Sequence, residues 1–307
     1  MGKRAADKIC SMSEAIAESV HDGDEVVIEG FTHLICFAAG HEIIRQRKKD
    51  LIASRLTPDL VYDQLVEAGA VKKMVFSWAG NPGVGSLHAM RRKTEAGSRA
   101  RIEIDEYSHF GMLGRFLAGA AGLPFWTLNN YGGTDIPSSN PNIKWIECPY
   151  TGQKLAVVPA LRPDVAIIQV QRADRQGNAQ VWGLMGTQKE SAFASKRVVI
   201  VAEELVDTSL IRMDPNRTLI PGICVDHVVH EPWAAHPSYA QGYYDRDNEF
   251  YVKWDRISRD PTTYADYLNE FVYGVKNRAE YVQKLGNRVL EKLKAKARIC
   301  EGVNYGF

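Results

Sequence analysis

The segment from Val75 to Ser86, VFSWAGNPGVGS, is the part of the sequence best suited to binding an anion. A β-branched, apolar run leads into three glycines, and Ser86 is a good N-cap for a following helix. Glycines let a ligand approach the backbone, and amides at a helix N-terminus suit a phosphate, a pyrophosphate or a carboxylate. The G-x-x-G-x-G spacing is neither a dinucleotide-binding loop nor a Walker A loop, and a tight strand-to-helix turn also explains it. The candidate binding residues are Gly80, Asn81, Pro82, Gly83, Val84, Gly85 and Ser86.

A second glycine-bearing loop follows a predicted strand at residues 29–33, EGFTH. Ligands of open α/β sheets bind outside the carboxyl ends of the strands, so two such loops can border one crevice. The candidate ligand contacts in this loop are Gly30, Phe31, Thr32 and His33. A structural or solvated role is the ordinary alternative for His33, because a single loop histidine defines no site.

Acidic and hydrogen-bonding residues cluster at residues 103–109, EIDEYSH. This segment is predicted to end a strand and open a helix, with Glu106 beginning the turn. A carboxylate beside Ser108 and His109 in a crevice is suited to acid–base chemistry. Acidic residues and serine also crowd helix N-termini for capping and dipole reasons, so a purely structural interpretation stays open.

The other polar groups form no convincing metal or nucleophile motif. His227, His230 and Glu231 superficially resemble metal ligands, but their β-branched neighbours indicate a strand. Residues three apart on a strand point to opposite faces, which argues against a shared metal. Five scattered cysteines without a CxxC pair predict neither a disulfide framework nor zinc, and the chain has no G-x-S-x-G elbow. We therefore expect no metal ion and no tightly bound cofactor.

Alternating β-branched and amphipathic runs predict the α/β fold that would position these loops. The expected architecture is an open, mostly parallel sheet flanked by helices. It is expected to form a single domain over residues 1–307 with a helical C-terminal tail at about 262–300. Inner strands are predicted at 154–158, 165–171 and 197–202, because two of these are nearly continuous apolar runs.

Composition excludes several classes of protein. The 307 residues are 45% hydrophobic and 24% charged, close to globular averages, which argues against a disordered chain. A net charge of +1 implies no broad attraction to nucleic acid or to a membrane surface. No apolar stretch approaches the roughly 20 residues of a membrane helix. The N-terminus lacks the apolar run of a signal peptide, so a cytoplasmic location is expected.

One further segment, residues 233–248, is dense in aromatic and hydrogen-bonding side chains. Such a composition fits either the wall of a pocket or an oligomer interface. The spacing alone does not choose between them.

Together these motifs resemble the α (A) subunit of family I coenzyme A transferases, in particular the glutaconate and 3-oxoadipate types. The similar stretches run from about Ser13 to Gly286 and include EGFTH, TPDLVYDQL, GNPGVGSLH, EYSH, CPYTG, VPALRPDVAIIQVQRAD and AHPSYAQGYYDRDNEFY. The resemblance therefore covers nearly the whole chain.

The resemblance implies an enzyme that moves coenzyme A between carboxylic acids through a covalent thioester on a glutamate. In two-subunit members that glutamate lies on a homologous β subunit, so an αβ heteromer, active only when assembled, is implied here. The coenzyme A thioester would be a substrate, and the acid a dicarboxylic or 3-oxo acid. The loops at Gly30-Phe31 and Asn81-Pro82-Gly83 would face the partner's glutamate and help to hold the thioester carbonyl.

Some residues depart from the glutaconate type. This chain has Glu29 before Gly30-Phe31, as the 3-oxoadipate type does, whereas many members have glycine. Pro82 replaces a serine and removes a hydroxyl and an amide donor. Residues 34–36, Leu-Ile-Cys, replace basic residues.

Two alternative functions remain open from the sequence. Relatives of the same fold include a hydrolase that opens a steroid-derived ring as its coenzyme A thioester, and a decarboxylase of glutaconyl-type thioesters. The catalytic glutamate of the hydrolase corresponds to Glu106, which would then act as a general base. A non-catalytic subunit that binds acyl-CoA is the third hypothesis.

Overall fold

The structure is a computed structural model that describes residues 7–82, 85–95 and 101–295. The strands in these residues are β1 Glu25–Glu29, β2 Leu51–Ser54, β3 Val71–Phe76, β4 Glu103–Glu106, β5 Phe125–Leu128, β6 Lys144–Glu147, β7 Lys154–Pro159, β8 Val165–Ala173, β9 Ala179–Gln180, β10 Arg197–Leu205, β11 Thr218–Ile220 and β12 His227–His230. The α-helices are α1 Met12–Ser19, α2 Phe37–Arg45, α3 Leu60–Glu67, α4 His88–Thr94, α5 His109–Ala120, α6 Ile136–Ser139, α7 Gln188–Ala194, α8 Thr208–Met213, α9 Asn248–Arg259, α10 Pro261–Leu268, α11 Arg278–Leu285 and α12 Asn287–Leu293. Short 3-10 turns lie at Pro215–Arg217 and Gly222–Cys224, and a π-helical turn at Asn269–Tyr273.

The main sheet confirms the predicted open, mostly parallel architecture. Its parallel strands run in the order β4-β3-β2-β1-β8-β10-β12, and β9 and β11 add two antiparallel strands beside β8. The apolar runs of β8 and β10 lie at its centre and are buried over most of their length. Helices cover both faces, as such continuous apolar strands require.

Residues 154–158, predicted as an inner strand, lie instead in a separate three-stranded antiparallel sheet of order β5-β7-β6. Only five residues separate β7 from β8, too few for the crossover that parallel neighbours need. The chain therefore pairs β7 with β6 as a hairpin. Leu128, Ala156 and Val158 face α5 and share a core cluster with Phe116.

The helices at the C-terminal end, including those within the predicted tail, pack into the main core. Trp254 of α9 and Tyr264 and Tyr267 of α10 are buried against one another, with ring centroids 4.7–5.0 Å from Trp254. Helix α9 begins at the N-cap Asp247, whose carboxylate accepts from the Phe250 amide at 2.9 Å. The helical segment was predicted to extend to about residue 300, and residues 296–300 lie outside the described part of the chain.

The parallel strands all end at the same edge of the sheet, which gathers the loops predicted to bind a ligand. The loops after β1, β2, β3 and β4 are neighbours there because these four strands are adjacent. Tyr62 of α3 helps to hold this edge, since its hydroxyl accepts from the Ile28 amide at 2.9 Å and donates to the Ser54 carbonyl at 3.0 Å.

Candidate functional site

The loop after β1 is tightly wound around Gly30. The φ angle of Gly30 is +146°, and a Cβ there would lie 2.7 Å from the carbonyl oxygens of both His33 and Leu34. Thr32 and Leu34 also have positive φ angles, near +55°. Only glycine fits at position 30, so the predicted candidate Gly30 is required for the shape of the loop.

The buried imidazole of His33 locks this loop to two other segments. Its Nδ1 bonds to the Leu184 carbonyl at 2.8 Å, and its Nε2 accepts from the Gln241 amide at 3.0 Å. Burial lowers the pKa of His33, which keeps the ring neutral in this tautomer. Both ring nitrogens are therefore engaged within the chain, and His33 supports the loop instead of presenting a free nitrogen to a ligand. Phe31 and Thr32 are half-buried.

A group of buried charged side chains lies beneath the loop. Glu29 accepts from the Thr187 amide at 2.9 Å, and burial raises its pKa although Arg55 opposes the shift. Arg55, directly after β2, is 1% exposed and donates to the Gly30 carbonyl. Its guanidinium lies 3.4 Å from the carboxylate of Asp59, the N-cap of α3. Neither Arg55 nor Asp59 was predicted from the sequence, because their meeting with Gly30 depends on strand order.

The loop after β3 is held by α9 and by the chain just before that helix. The buried Asn81 donates to the Tyr251 carbonyl at 3.1 Å. Arg246 donates to the Pro82 carbonyl and stacks on the Tyr251 ring, 3.9 Å from its centroid. Gly80 packs so close to the Trp78 ring that a Cβ would lie 2.4 Å from it. The predicted candidates Gly83 and Val84 lie outside the described residues.

Ser86 is not the N-cap predicted for the following helix. Helix α4 begins at His88, its N-cap is Leu87, and no side chain caps it locally. The Met90 amide in its first turn instead donates to Asp63 of α3 at 2.8 Å. Gly85 lies exposed at the loop's end, with the Asp255 carboxylate 2.1 Å from where a Cβ would stand.

Residues 236–247 join the two loops, which gives this part of the aromatic-rich segment a structural role. Ser238 donates to the Thr32 carbonyl at 2.7 Å, and the Leu34 amide donates to the Tyr239 carbonyl at 2.9 Å. At the other end, Arg246 holds the loop after β3. The buried ring of His236 anchors the connecting chain between Asp247, at 3.1 Å, and the Tyr281 hydroxyl, at 2.9 Å.

The third candidate cluster lies beside the loop after β3. Ser108 caps α5, accepting from the Gly111 amide at 3.0 Å, and the Nδ1 atom of His109 lies 3.0 Å from the Ser77 hydroxyl. Glu106 is the last residue of β4, where a turn was predicted, and it pairs with Phe76. Its side chain is exposed and borders a cavity of about 340 Å³.

Exposed apolar side chains surround these loops. Trp78 and Phe110 lie on one side, 48% and 49% exposed. Leu184 and Met185, 43% and 52% exposed, lie on the other side, where the Leu184 carbonyl contacts His33. Exposed apolar side chains grouped near polar loops are typical of a surface that another protein covers, and these four residues are called the apolar rim below.

The described residues contain neither a metal-binding cluster nor a membrane-spanning helix. Within residues 7–82, 85–95 and 101–295, no group of three or more His, Cys, Asp or Glu side chains is arranged to hold a metal ion. In the same part of the chain, no helix has the length and apolar character needed to cross a membrane.

The amino-acid sequence of this chain is similar to those of several known proteins. Residues 9–231 match the family model described as "Coenzyme A transferase". The chain is 50% identical to the α (A) subunit of 3-oxoadipate CoA-transferase from Pseudomonas knackmussii, over 91% of this chain and 98% of that protein. It is 32% identical to the α (A) subunit of glutaconate CoA-transferase from Acidaminococcus fermentans, over 97% of each chain.

Structural comparison agrees with the sequence similarity. The crystal structure of glutaconate coenzyme A-transferase from Acidaminococcus fermentans superposes with a TM-score of 0.88 and covers 95% of this chain and 96% of that one. A more distant relative is the cholesterol ring-cleaving hydrolase IpdA subunit of Rhodococcus jostii, 26% identical over 87% of this chain and 93% of that protein.

Proposed function

This chain belongs to the coenzyme A transferase family, and we propose that it is the α subunit of a heteromer that moves coenzyme A between carboxylic acids. One observation carries the proposal: the loops at the site are ordered and crowded, yet they offer no carboxylate of their own. Within 30–36, 77–82 and 85–87, the described parts of the loops after β1 and β3, there is no Asp or Glu. Glu29, just before the first loop, is buried and hydrogen-bonded.

The partner supplies what these loops lack. We propose that a glutamate of a homologous β chain attacks the acyl-CoA carbonyl and, after the acyl group has left, carries coenzyme A as a thioester. The α chain then supplies the wall of the acyl pocket and the loop amides. The apolar rim of Trp78, Phe110, Leu184 and Met185 fits a surface covered by that partner. Such chemistry needs no tightly bound cofactor, because the coenzyme A thioester is itself the substrate.

We propose a 3-oxo dicarboxylic acid, as in 3-oxoadipate transfer, as the acceptor of coenzyme A. Over the aligned residues, the chain is 50% identical to the 3-oxoadipate protein and 32% identical to the glutaconate protein. Glu29 before Gly30-Phe31 is a feature of the 3-oxoadipate type. Because its substrates are coenzyme A thioesters, we also propose that the enzyme works in the cytoplasm.

The test is trapping of the covalent intermediate. The chain is co-expressed with its neighbouring β-type reading frame, and the complex is incubated with succinyl-CoA and treated with borohydride or hydroxylamine. Mass spectrometry should find the modification on a glutamate of the partner. Coenzyme A should then pass to 3-oxoadipate faster than to glutaconate.

Glu106→Ala separates transfer from hydrolysis. The transferase proposal expects adduct formation to survive this substitution, because Glu106 is exposed at the end of β4 and the proposal gives it no step. Consumption of the thioester without any adduct, abolished by Glu106→Ala, would mean a ring-opening hydrolase mechanism.

A further inference from the structure

The buried guanidinium of Arg55 determines the direction of one backbone peptide in the loop after β1. Arg55 is 1% exposed and donates to the carbonyl oxygen of Gly30. The carbonyl of residue 30 and the amide of residue 31 belong to one planar trans peptide, so they point in opposite directions. Because the Gly30 carbonyl is turned inward to Arg55, the Phe31 N–H is turned outward.

The outward amide is available as a donor. Within residues 7–82, 85–95 and 101–295, no backbone hydrogen bond of normal geometry has the Phe31 N–H as its donor, although Phe31 and His33 form an isolated antiparallel bridge. Phe31 itself is half-buried. An unpaired amide in a sheltered position is the arrangement that stabilises a developing oxyanion.

Arg55 is itself held in place from several sides. Its amide donates to the Val75 carbonyl at 3.0 Å, and its guanidinium lies 3.4 Å from Asp59 and 5.7 Å from the centroid of the Tyr62 ring. The chain is also tightly packed around Gly30, since a Cβ there would lie 2.7 Å from the carbonyl oxygens of His33 and Leu34. The direction of the peptide between Gly30 and Phe31 therefore depends on the Arg55 side chain.

We propose that Arg55 is a positioning residue that aims the Phe31 amide at the acyl carbonyl of the bound thioester; this rests on the proposed transferase function. When the partner's carboxylate adds to that carbonyl, the C=O double bond becomes a C–O⁻ single bond. The Phe31 N–H donates to this oxygen. The carbonyl re-forms when the C–S bond breaks and coenzyme A leaves as the thiolate. Arg55 touches no reacting atom.

The test compares Arg55→Lys with Arg115→Lys in the co-expressed complex. Arg115 is also buried, donates to a backbone carbonyl, that of Pro159, at 3.1 Å, and stacks on Tyr107 at 4.3 Å. Lysine keeps each charge but lacks the planar fork. Arg55→Lys should lower kcat on the order of 100-fold with KM for acyl-CoA nearly unchanged, because the amide acts mainly in the transition state. Arg115→Lys should leave both constants near the wild-type values.

Amide hydrogen exchange provides a readout that does not depend on turnover. Peptides covering residues 29–34 should exchange faster in Arg55→Lys and should not in Arg115→Lys. If Arg55→Lys folds poorly, the double variant Arg55→Gln/Asp59→Asn removes both buried charges together and keeps a good cap for α3. That variant should show the same loss of kcat.

The outcomes separate this inference from the proposed function. An active wild-type complex in which Arg55→Lys matches Arg115→Lys in kcat and in exchange would overturn the role of Arg55 and leave the transferase proposal intact. A rise in KM with unchanged kcat would also overturn it, since the amide would then act in ground-state binding. A wild-type complex that moves no coenzyme A would overturn the proposed function first.

Discussion

The buried carboxyl group of Glu203 shows how the protein interior alters the pKa of a single side chain. Burial raises its pKa to about 7, although hydrogen bonds from Tyr244 and the Trp233 amide favour the ionised form. The folded protein therefore keeps this proton over a pH range in which the unfolded chain has lost it. The contribution of Glu203 to the free energy of unfolding is therefore fully present below about pH 4.5. It is lost as the pH rises through about 7.

We expect Glu203→Gln to remove this pH dependence. Between pH 4.5 and 7 the stability of the variant relative to the wild type should rise by up to about 3 kcal/mol, since only the wild type must ionise a buried carboxyl group. Urea denaturation of both proteins at several pH values measures this difference in the free energy of unfolding.

The neighbouring Glu204 provides the matched control for that experiment. Burial alone would raise its pKa, but hydrogen bonds from Arg172 and Tyr243 hold it below the usual range. Glu204→Gln should therefore show no gain in relative stability over the same range. Parallel curves for wild type and Glu203→Gln would mean that Glu203 is ionised in the folded state well below pH 7.

At the scale of elements, the loop after β1 depends on one glycine conformation. Gly30→Ala should lower the activity of the complex by at least about 100-fold, because the methyl group would displace the backbone that carries the Phe31 amide. Steady-state kinetics with the assembled complex measures this loss.

Gly23 supplies the control for the effect of a positive φ angle by itself. Its φ is +88°, and a Cβ there would meet nothing within 4 Å. Gly23→Ala should cost about 1 kcal/mol of stability and leave kcat unchanged. Equal activity in Gly30→Ala and wild type would show that the close contacts at Gly30 do not shape the site.

Helix α4 offers a second test at this scale, because its first turn is capped from a distance. Asp63 of α3 accepts from the Met90 amide at 2.8 Å and from the Tyr264 hydroxyl at 3.0 Å. Asp63→Ala should therefore lower the free energy of unfolding by about 2 kcal/mol, since it leaves two buried donors unpaired. Ser86→Ala, at the predicted cap, should cost less than about 0.5 kcal/mol. Equal costs in denaturant titrations would contradict the tertiary cap.

At the scale of the whole molecule, the apolar rim lies at the carboxyl edge of the sheet, around the candidate site. If the partner subunit covers this rim, Leu184→Asp should weaken binding between the two subunits by about 10- to 100-fold, because a charge would be buried in the interface. Ile223 is 91% exposed and lies just before β12, at the opposite edge of the sheet. Ile223→Asp should leave this binding unchanged in sedimentation or light-scattering titrations. The opposite pattern would place the partner at the other edge.

The amino-acid sequence was enough to predict the class of fold and the family, and it singled out the two loops of the candidate site. Apolar runs such as β8 and β10 predict buried parallel strands, and Gly30 and Gly80 mark close backbone approaches, because these signals are local. Local patterns failed where distant segments decide the result. Ser86 looked like a cap, but Asp63 performs that role, and residues 154–158 form a hairpin strand outside the main sheet.

Only the tertiary structure brought Arg55 to Gly30, Arg246 to Pro82 and both nitrogens of His33 to their partners. These contacts join residues that are 25 to more than 200 positions apart. Sequence spacing carries no information about such pairs, because they arise from strand order and from the burial of polar groups that must find partners inside the fold.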